Sequence, residues 1–246
     1  MALRGIIVNT ARLNEEQKSD MYRLMVNHYN NVDPLEFAKD LAEKNWTILL
    51  VDRTSGKIKG FSTQMLFQHQ YNDQTMLVLF SGDTIIDPGH WGSQALPVTL
   101  GRLMQSILAS CPGEKLYWML ISKGFRTYRF LPVFFNAFYP RYDKATPAWE
   151  QGLITSLGKR KFADRYNSTN GIVTSSAHSQ SLKKELSIPS KAHQKNHHVQ
   201  FFLNANPDFG RGDELICVAP FHEQNIKPYL LRCLKTKKRK HLQFRF

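Results

Sequence analysis

Two nearly continuous apolar runs, joined by a segment with helical spacing, limit the fold of this chain more than any other feature. The first run, TMLVLFSGDTIID, covers residues 75–87, and the second, KLYWMLIS, covers residues 115–122. Continuous apolarity is typical of strands that are buried on both faces. Apolar residues recur at helical spacing between the two runs: Val98, Leu100, Leu103 and Met104. We therefore expect two buried strands and a helix over 97–110 in one crossover unit.

The segments before residue 75 predict strands and helices in a definite order. A β-rich run at 4–12 is followed by an amphipathic helix that opens near Asn14, and Asp33-Pro34 begins a second helix. The runs at 46–52 and 57–67 flank a four-residue turn, so they should pair as antiparallel strands.

The segments after residue 122 are less regular. Phe130, Phe134 and Phe138 have helical spacing and predict one helix, and residues 147–162 predict another. Residues 166–196 are polar and predict a loop, an excursion from the fold or a mobile segment. The late runs HHVQFFLN and ELICVAPF predict strands, NIKPYLLRCL predicts a final helix, and KTKKRKHLQFRF is a basic tail.

Charge is distributed unevenly along the chain. Residues 1–150 contain 16 Lys and Arg against 14 Asp and Glu, whereas residues 151–246 contain 17 against 6. Such a basic half attracts an anionic partner, such as nucleic acid or an acidic carrier protein, or it is only a solvated surface. No run is long enough to span a membrane or to serve as a secretory signal, so we expect a cytoplasmic protein.

The cysteines and histidines do not predict a metal site. Cys111, Cys217 and Cys233 are far apart and odd in number, which argues against a disulfide framework or a zinc ribbon. His197 and His198 are adjacent, and adjacent side chains of a strand point to opposite faces. We therefore expect no metal.

The stretch DPGHWGSQALPVTLGRLM, residues 87–104, joins the first buried strand to the helix through a glycine-containing turn. With the order of elements around it, this stretch resembles the GNAT superfamily of CoA-dependent N-acyltransferases. That family has an Arg/Gln-x-x-Gly-x-Gly/Ala turn whose amides bind the CoA pyrophosphate. Asp87, Pro88, Gly92 and the following helix match. The turn is degenerate, because Gln94 stands where a second glycine is usual and Leu96-Pro97 replaces a small residue.

The resemblance implies a fold and a division of the chain. The fold is α/β (α+β), with a mixed, mostly antiparallel central sheet flanked by helices. Residues 1–145 form the GNAT-like acyltransferase domain, and residues 146–246 form a basic C-terminal α+β extension that packs on it and shapes the acceptor side.

The resemblance also implies the activity and the donor site. The chain would move an acyl group from an acyl thioester, on CoA or on an acyl carrier protein, to a primary amine of a small molecule, peptide or protein. The donor would be bound by backbone groups of the first buried strand and of the turn: Ile85, Ile86, Gly92, Ser93, Gln94 and Ala95.

Three side chains are candidates for proton transfer. Asp83 is the first choice for the base, because a carboxylate in an apolar strand needs a partner or a task. A structural ion pair would also explain it. His69 is the second candidate for the base. Tyr139 is preferred for the acid that the family uses, although Tyr128 and Tyr142 lie in or beyond the same aromatic segment and spacing does not separate the three.

The aromatic segment predicts a place for a longer acyl group. Phe130, Phe134, Phe135 and Phe138 would line an apolar channel for a chain longer than acetyl, or they would belong to the core. Two other hypotheses come from the basic half: a non-catalytic GNAT-like module that binds nucleic acid, and an RNA-directed acetyltransferase.

Overall fold

The computed structural model describes residues 2–176 and 179–235. The helices are α1 (Glu15–His28), α2 (Pro34–Ala42), α3 (Ala95–Ser110), α4 (Phe125–Tyr128), α5 (Phe130–Phe134), α6 (Ala148–Phe162), α7 (Lys184–Ser187), α8 (Lys191–Gln194), α9 (His197–Ala205) and α10 (Pro228–Lys235). The strands are β1 (Leu3–Asn9), β2 (Tyr29–Asn30), β3 (Trp46–Asp52), β4 (Ile58–Tyr71), β5 (Gln74–Ile86), β6 (Leu116–Ser122), β7 (Tyr166–Asn167), β8 (Ile172–Val173), β9 (Ser181–Leu182) and β10 (Glu214–Pro220).

In the described part of the chain, eight strands form one sheet in the order β1-β3-β4-β5-β6-β10-β8-β7. Strands β5 and β6 are parallel, and the other neighbours are antiparallel. Helix α3 connects the parallel pair, as the two apolar runs predict. The expected fold, a mixed and mostly antiparallel sheet flanked by helices, is confirmed.

The parallel pair separates part of the way along its length. Residues 77–81 of β5 pair with residues 116–120 of β6, but β5 continues to Ile86 with no partner on that side among the described residues. Next to the point of separation, Gly82 and Asp83 of β5 both lie opposite Thr63 of β4. This extra residue is a β-bulge, which bends the strand and redirects its side chains. The split and the bulge together open the sheet at its centre.

Local sequence explains where the first two helices begin. The Asn14 side chain accepts from the Gln17 amide while the Gln17 side chain accepts from the Asn14 amide, which is a capping box. The Asp33 carboxylate accepts from the amides of Leu35 and Glu36 at the start of α2. Both predicted helix starts are therefore confirmed.

The helices cover both faces of the sheet. Helices α3 and α10 pack against each other on one face, where α3 contacts β1 and β3. Helices α1 and α6 contact β4 and β10, respectively, and bury the apolar clusters on the other face.

The C-terminal part of the chain contributes to the same sheet. Strand β10, predicted from ELICVAPF, pairs with β6 across the proposed boundary at 145/146. The run at 197–204 forms helix α9 instead of the predicted strand, because Asn196 caps it and Val199 and Phe202 bury one helical face. The polar segment 166–196 is not a simple loop, since its described residues form three short strands and two short helices.

The aromatic segment also departs from its prediction. Helices α4 and α5 end at Tyr128 and Phe134, so Phe138 is not on a common helix with Phe130. Phe135 and Tyr139 instead form isolated bridges to Ile226 and Val218. None of the described helices is long and apolar enough to cross a membrane.

Candidate active site

Two cavities lie where β5 and β6 separate, and they share part of their walls. The large cavity has a volume of about 500 Å³ and extends toward the turn before α3. The polar cavity has a volume of about 160 Å³ and contains Asp83. Tyr29, Thr84 and Thr127 line both cavities. Molecules in the two cavities would therefore meet beside Thr84.

The turn before α3 forms one wall of the large cavity. Asp87 begins it by accepting a hydrogen bond from the Gly89 amide at 3.0 Å. Gly92 has φ +90°, in the region that favours glycine, and a Cβ built on it would meet nothing within 4 Å. Gln94 has φ −85°, so the replacement of the family's second glycine imposes no backbone strain.

The turn also leaves backbone donors without protein partners. The Ser93 amide donates to the His90 carbonyl at 3.1 Å, and the Ala95 amide donates to Ser93 Oγ at 3.3 Å. Among residues 2–176 and 179–235, the amides of Gly92 and Gln94 have no acceptor. Since Gln94 is the N-cap of the sixteen-residue helix α3, both amides lie at the positive end of a helix dipole.

Two arginines make the large cavity electropositive. Arg126 and Arg129 line it, whereas none of the described Asp or Glu residues does. The Arg126 guanidinium lies 3.8 Å from the centroid of the Trp91 ring, and its Nη1 donates to the Leu186 carbonyl. Sequence analysis did not single out these arginines, although the stretch GFRTYRF contains both of them.

The free edge of β5 offers further backbone groups. The Asp87 amide donates to the Lys59 carbonyl of β4 at 2.8 Å. In an antiparallel ladder, the backbone N–H and C=O groups of successive residues point alternately toward and away from the partner strand. The alternation directs the Ile85 amide toward β4 and the amides of Thr84 and Ile86 toward the split. Ile85 and Ile86 were both predicted to bind the donor through their backbone groups. Only the Ile86 amide of these two points toward the large cavity, and the Thr84 amide points the same way.

Asp83 lies in the wall of the polar cavity with its carboxylate unpaired. Within the described residues it forms no hydrogen bond and no ion pair, although the charges of Lys123 and Lys44 act to lower its pKa. Burial, and then the negative charge of Asp40, raise the pKa of Asp83 to about 7. A carboxylate with such a pKa can accept a proton near neutral pH.

Tyr29 places a hydroxyl group in the walls of both cavities. Its ring lies under the Lys123 ammonium, with 5.4 Å between Nζ and the ring centroid. Burial, followed by the charges of Asp83 and Glu214, raises the Tyr29 pKa well above its ordinary value. The hydroxyl is therefore protonated at neutral pH. Sequence analysis missed Tyr29 because it lies 54 positions before Asp83 in the chain.

The structure does not bring Tyr139 to this site. Its backbone pairs with Val218 on the edge of β10 that faces away from β6. Three strand spacings, roughly 14 Å, separate it from β5. Its side chain packs in the apolar cluster under α6 and lines neither cavity.

His69 lies elsewhere as well. It is 4% exposed near the far end of β4, where its Nε2 lies 3.0 Å from Ser156 Oγ and its Nδ1 lies 3.2 Å from Arg160. Burial and the Arg160 charge lower the pKa of the imidazole. These contacts attach β4 to α6.

The four predicted acyl-chain residues divide between two environments. Phe130 and Phe134 line the large cavity and also an apolar cavity of about 20 Å³ behind it, which Phe135 lines with Leu100. Phe138 is 1% exposed and packs against Tyr128, so it belongs to the core.

Metal ligands and the basic tail require separate statements. Among the described residues, no group of three His, Cys, Asp or Glu side chains could hold a metal ion. His197 and His198 instead contact the Tyr142 ring. The cluster Lys237, Lys238, Arg239 and Lys240 lies outside the described residues.

Comparisons with known proteins give distant structural likenesses. No family model matches the sequence, and no curated protein matches it. A conserved protein of unknown function from Enterococcus faecalis V583, described as a probable N-acyltransferase, matches 67% of this chain with 13% identity and a TM-score of 0.41. The match spans 45% of that longer chain.

Two other solved structures are similar over part of the chain. A Trypanosoma brucei acetyltransferase matches 59% of this chain and 97% of its own, with 16% identity and a TM-score of 0.37. A GNAT family N-acetyltransferase from Escherichia coli, solved in complex with CoA, matches 50% and 65%, with 11% identity and a TM-score of 0.34. Likenesses this distant do not establish the activity of this chain.

Proposed function

We propose that this protein is an N-acyltransferase that takes an acyl group from a CoA thioester in the large cavity and transfers it to a primary amine in the polar cavity. One observation carries the proposal: the two cavities are neighbours at the split between β5 and β6 and share Tyr29 and Thr84 in their walls. An acyl transfer between two substrates needs such a junction, because their reacting atoms must approach to about 3 to 3.5 Å.

The large cavity suits a phosphorylated donor. The free amides of Gly92 and Gln94 and the dipole of α3 attract the pyrophosphate, and Arg126 and Arg129 supply positive charge. The thioester then lies along the free edge of β5, where the amides of Thr84 and Ile86 face its carbonyl. A carrier-protein donor would present one phosphate instead of the three of CoA, so this set of anion-binding groups favours CoA.

The polar cavity suits an amine. Glu36, Asp40, Asp83 and Glu214 line it beside Lys123, Lys161 and Arg165, so carboxylates that can hold an ammonium group outnumber the cations by one. Asp83 takes the proton that the amine loses when it attacks the thioester carbonyl. Tyr29 lines both cavities and is placed, instead of Tyr139, to donate a hydrogen bond to the departing sulfur.

The apolar cavity favours a short acyl group. Its volume of about 20 Å³ holds one water-sized group, since about 10 to 15 Å³ suffices for one. Phe130, Phe134 and Phe135 close it, so an acyl chain much longer than acetyl would have to displace these rings. Long-chain acyl-CoA should therefore be a poorer donor than acetyl-CoA.

A titration with CoA tests the donor site. A bound ligand at a hundredfold excess over its Kd stabilises the fold by roughly 3 kcal/mol, which a thermal shift detects. We expect CoA and acetyl-CoA to raise the Tm, and pantetheine, which lacks the phosphates, to have little effect. If CoA binds no better than pantetheine, the large cavity is not a phosphate site and the proposal is wrong.

A further inference from the structure

A chain of hydrogen bonds runs through the buried centre of the sheet and ends at the junction of the cavities. Trp118 Nε1 donates to Ser81 Oγ at 2.8 Å, and Ser81 donates to Gln64 Oε1 at 2.7 Å. Gln64 Nε2 then lies 2.7 Å from Ser62 Oγ, which lies 2.7 Å from Thr84 Oγ1. Ser62, Gln64 and Ser81 are at most 1% exposed.

The direction of this chain follows from the chemistry of its members. An indole nitrogen only donates, so Ser81 accepts from Trp118 and gives its own proton to Gln64 Oε1. The Gln64 amide nitrogen also only donates, so Ser62 accepts from it and its proton is available for Thr84 Oγ1. With each hydroxyl accepting from one side and donating to the other, Thr84 is the last donor.

The protein offers the Thr84 proton only a weak acceptor. The Gly82 carbonyl lies 3.3 Å from Thr84 Oγ1, which is long for a bond between a hydroxyl and an oxygen. Thr84 lines the large, polar and apolar cavities together. A series of buried hydrogen bonds that served packing alone would end on a good internal acceptor. This series of hydrogen bonds ends beside the place proposed for the thioester.

We propose that the Thr84 hydroxyl is a catalytic residue that donates a hydrogen bond to the carbonyl oxygen of the acyl thioester, and that Ser62 and Gln64 are positioning residues that direct it. This inference rests on the proposed acyltransferase function. The donors of an oxyanion site act best when they are fixed before the reaction, and the buried chain fixes this one.

The proposed step balances in atoms and charge. The amine nitrogen forms a bond to the carbonyl carbon, and the carbonyl oxygen takes up negative charge under the hydrogen bonds from the Thr84 hydroxyl and a β5 amide. The ammonium proton passes to the Asp83 carboxylate. The carbon–sulfur bond then breaks, the thiolate leaves with its electron pair and takes up the proton that Asp83 accepted, and the amide product and free CoA remain. Thr84 keeps its proton throughout.

Steady-state kinetics of Thr84→Val and Thr84→Ser test the inference. Valine keeps the shape and removes the hydroxyl, so kcat should fall by about 10²-fold, while the affinity for CoA stays close to the parent value. The Tm should fall moderately, because the buried Ser62 hydroxyl loses its acceptor. Serine restores the hydroxyl and should recover most of the activity. Ser62→Ala should lower kcat to an intermediate level without changing KM for the donor. Thr99→Val is the matched control, because that hydroxyl bonds to the Ala95 carbonyl within α3.

A second readout separates catalysis from structure. An acetyl-CoA analogue with a tetrahedral phosphonate in place of the carbonyl carries the negative oxygen that Thr84 would bind. Thr84→Val should weaken the binding of this analogue much more than the binding of CoA. The role of Thr84 is refuted if the parent enzyme is active and Thr84→Val differs from it less than twofold in kcat. It is also refuted if the substitution weakens the binding of CoA and of the analogue equally. If the parent neither binds CoA nor acylates an amine, the proposed function has failed, and the role of Thr84 with it.

Discussion

Replacement of Asp83 by asparagine should lower turnover and raise stability, because both effects come from one half-buried carboxylate. Asparagine has nearly the same shape and cannot accept the proton. Loss of a general base lowers the rate by about 10² to 10⁴-fold. In the parent enzyme kcat/KM should rise with pH up to about 7 and then level off, since only the ionised carboxylate is active. The variant should lose this dependence.

The stability effect follows from the same raised pKa. The ordinary value of 3.8 rises to about 7 in the folded chain, so the folded state binds the Asp83 proton more tightly than the unfolded state does. Stability therefore falls as the pH rises from about 4 to about 7. One unit of pKa shift corresponds to about 1.36 kcal/mol. The free energy of unfolding of Asp83→Asn, relative to that of the parent, should therefore grow by at most about 3 kcal/mol between pH 5 and pH 8. Since Asp83 is only half-buried, solvent screening reduces this to about 1 to 2 kcal/mol.

Urea unfolding of both proteins at pH 5 and pH 8 measures the effect, beside the pH–rate profile. Asp52→Asn is the matched control. Hydrogen bonds from Ser55 lower the pKa of Asp52, so its ionised carboxylate stabilises the fold. Removal of that charge should therefore destabilise the protein, whereas Asp83→Asn should stabilise it. Near-normal turnover of Asp83→Asn, together with a stability difference that is the same at both pH values, would refute the assignment of Asp83 as a half-buried base.

Three further substitutions test the two cavities. Gly92→Glu should abolish CoA binding, because it places a carboxylate beside the phosphate site at φ +90°, and calorimetry with an unchanged Kd would contradict this. Arg126→Ala should weaken CoA binding about 10 to 100-fold and flatten its salt dependence, whereas Arg12→Ala at an exposed position should change neither. Tyr29→Phe should lower kcat while Tyr139→Phe leaves it nearly unchanged, and the reverse order would place the acid at Tyr139.

Part of the fold could be predicted because its signals are local. Long apolar runs predicted β5 and β6, and the capping residues Asn14 and Asp33 predicted the starts of α1 and α2. Residues 197–204 misled the prediction because a short apolar run fits a strand or a helix equally well. The deciding residue, Asn196, lies just outside that run.

Prediction of the site depended on how far each residue lies from its partners. Asp83 could be singled out because a carboxylate in an apolar strand is conspicuous in the sequence alone. The role proposed for Thr84 could not be found in this way, since the β-bulge resets the alternation of side chains after Gly82. Tyr29 reaches the junction of the cavities only through tertiary packing.

Transfer of an isotopically labelled acetyl group tests the central claim most directly. The protein would be incubated with acetyl-CoA labelled in the acetyl group and a panel of small primary amines, and the products and free thiol would be measured together. The account predicts labelled amides and an equal amount of free CoA from the parent protein, and a large loss of both with Asp83→Asn. A protein that binds CoA but releases thiol without any labelled amide, or at the same rate with and without Asp83, would contradict it.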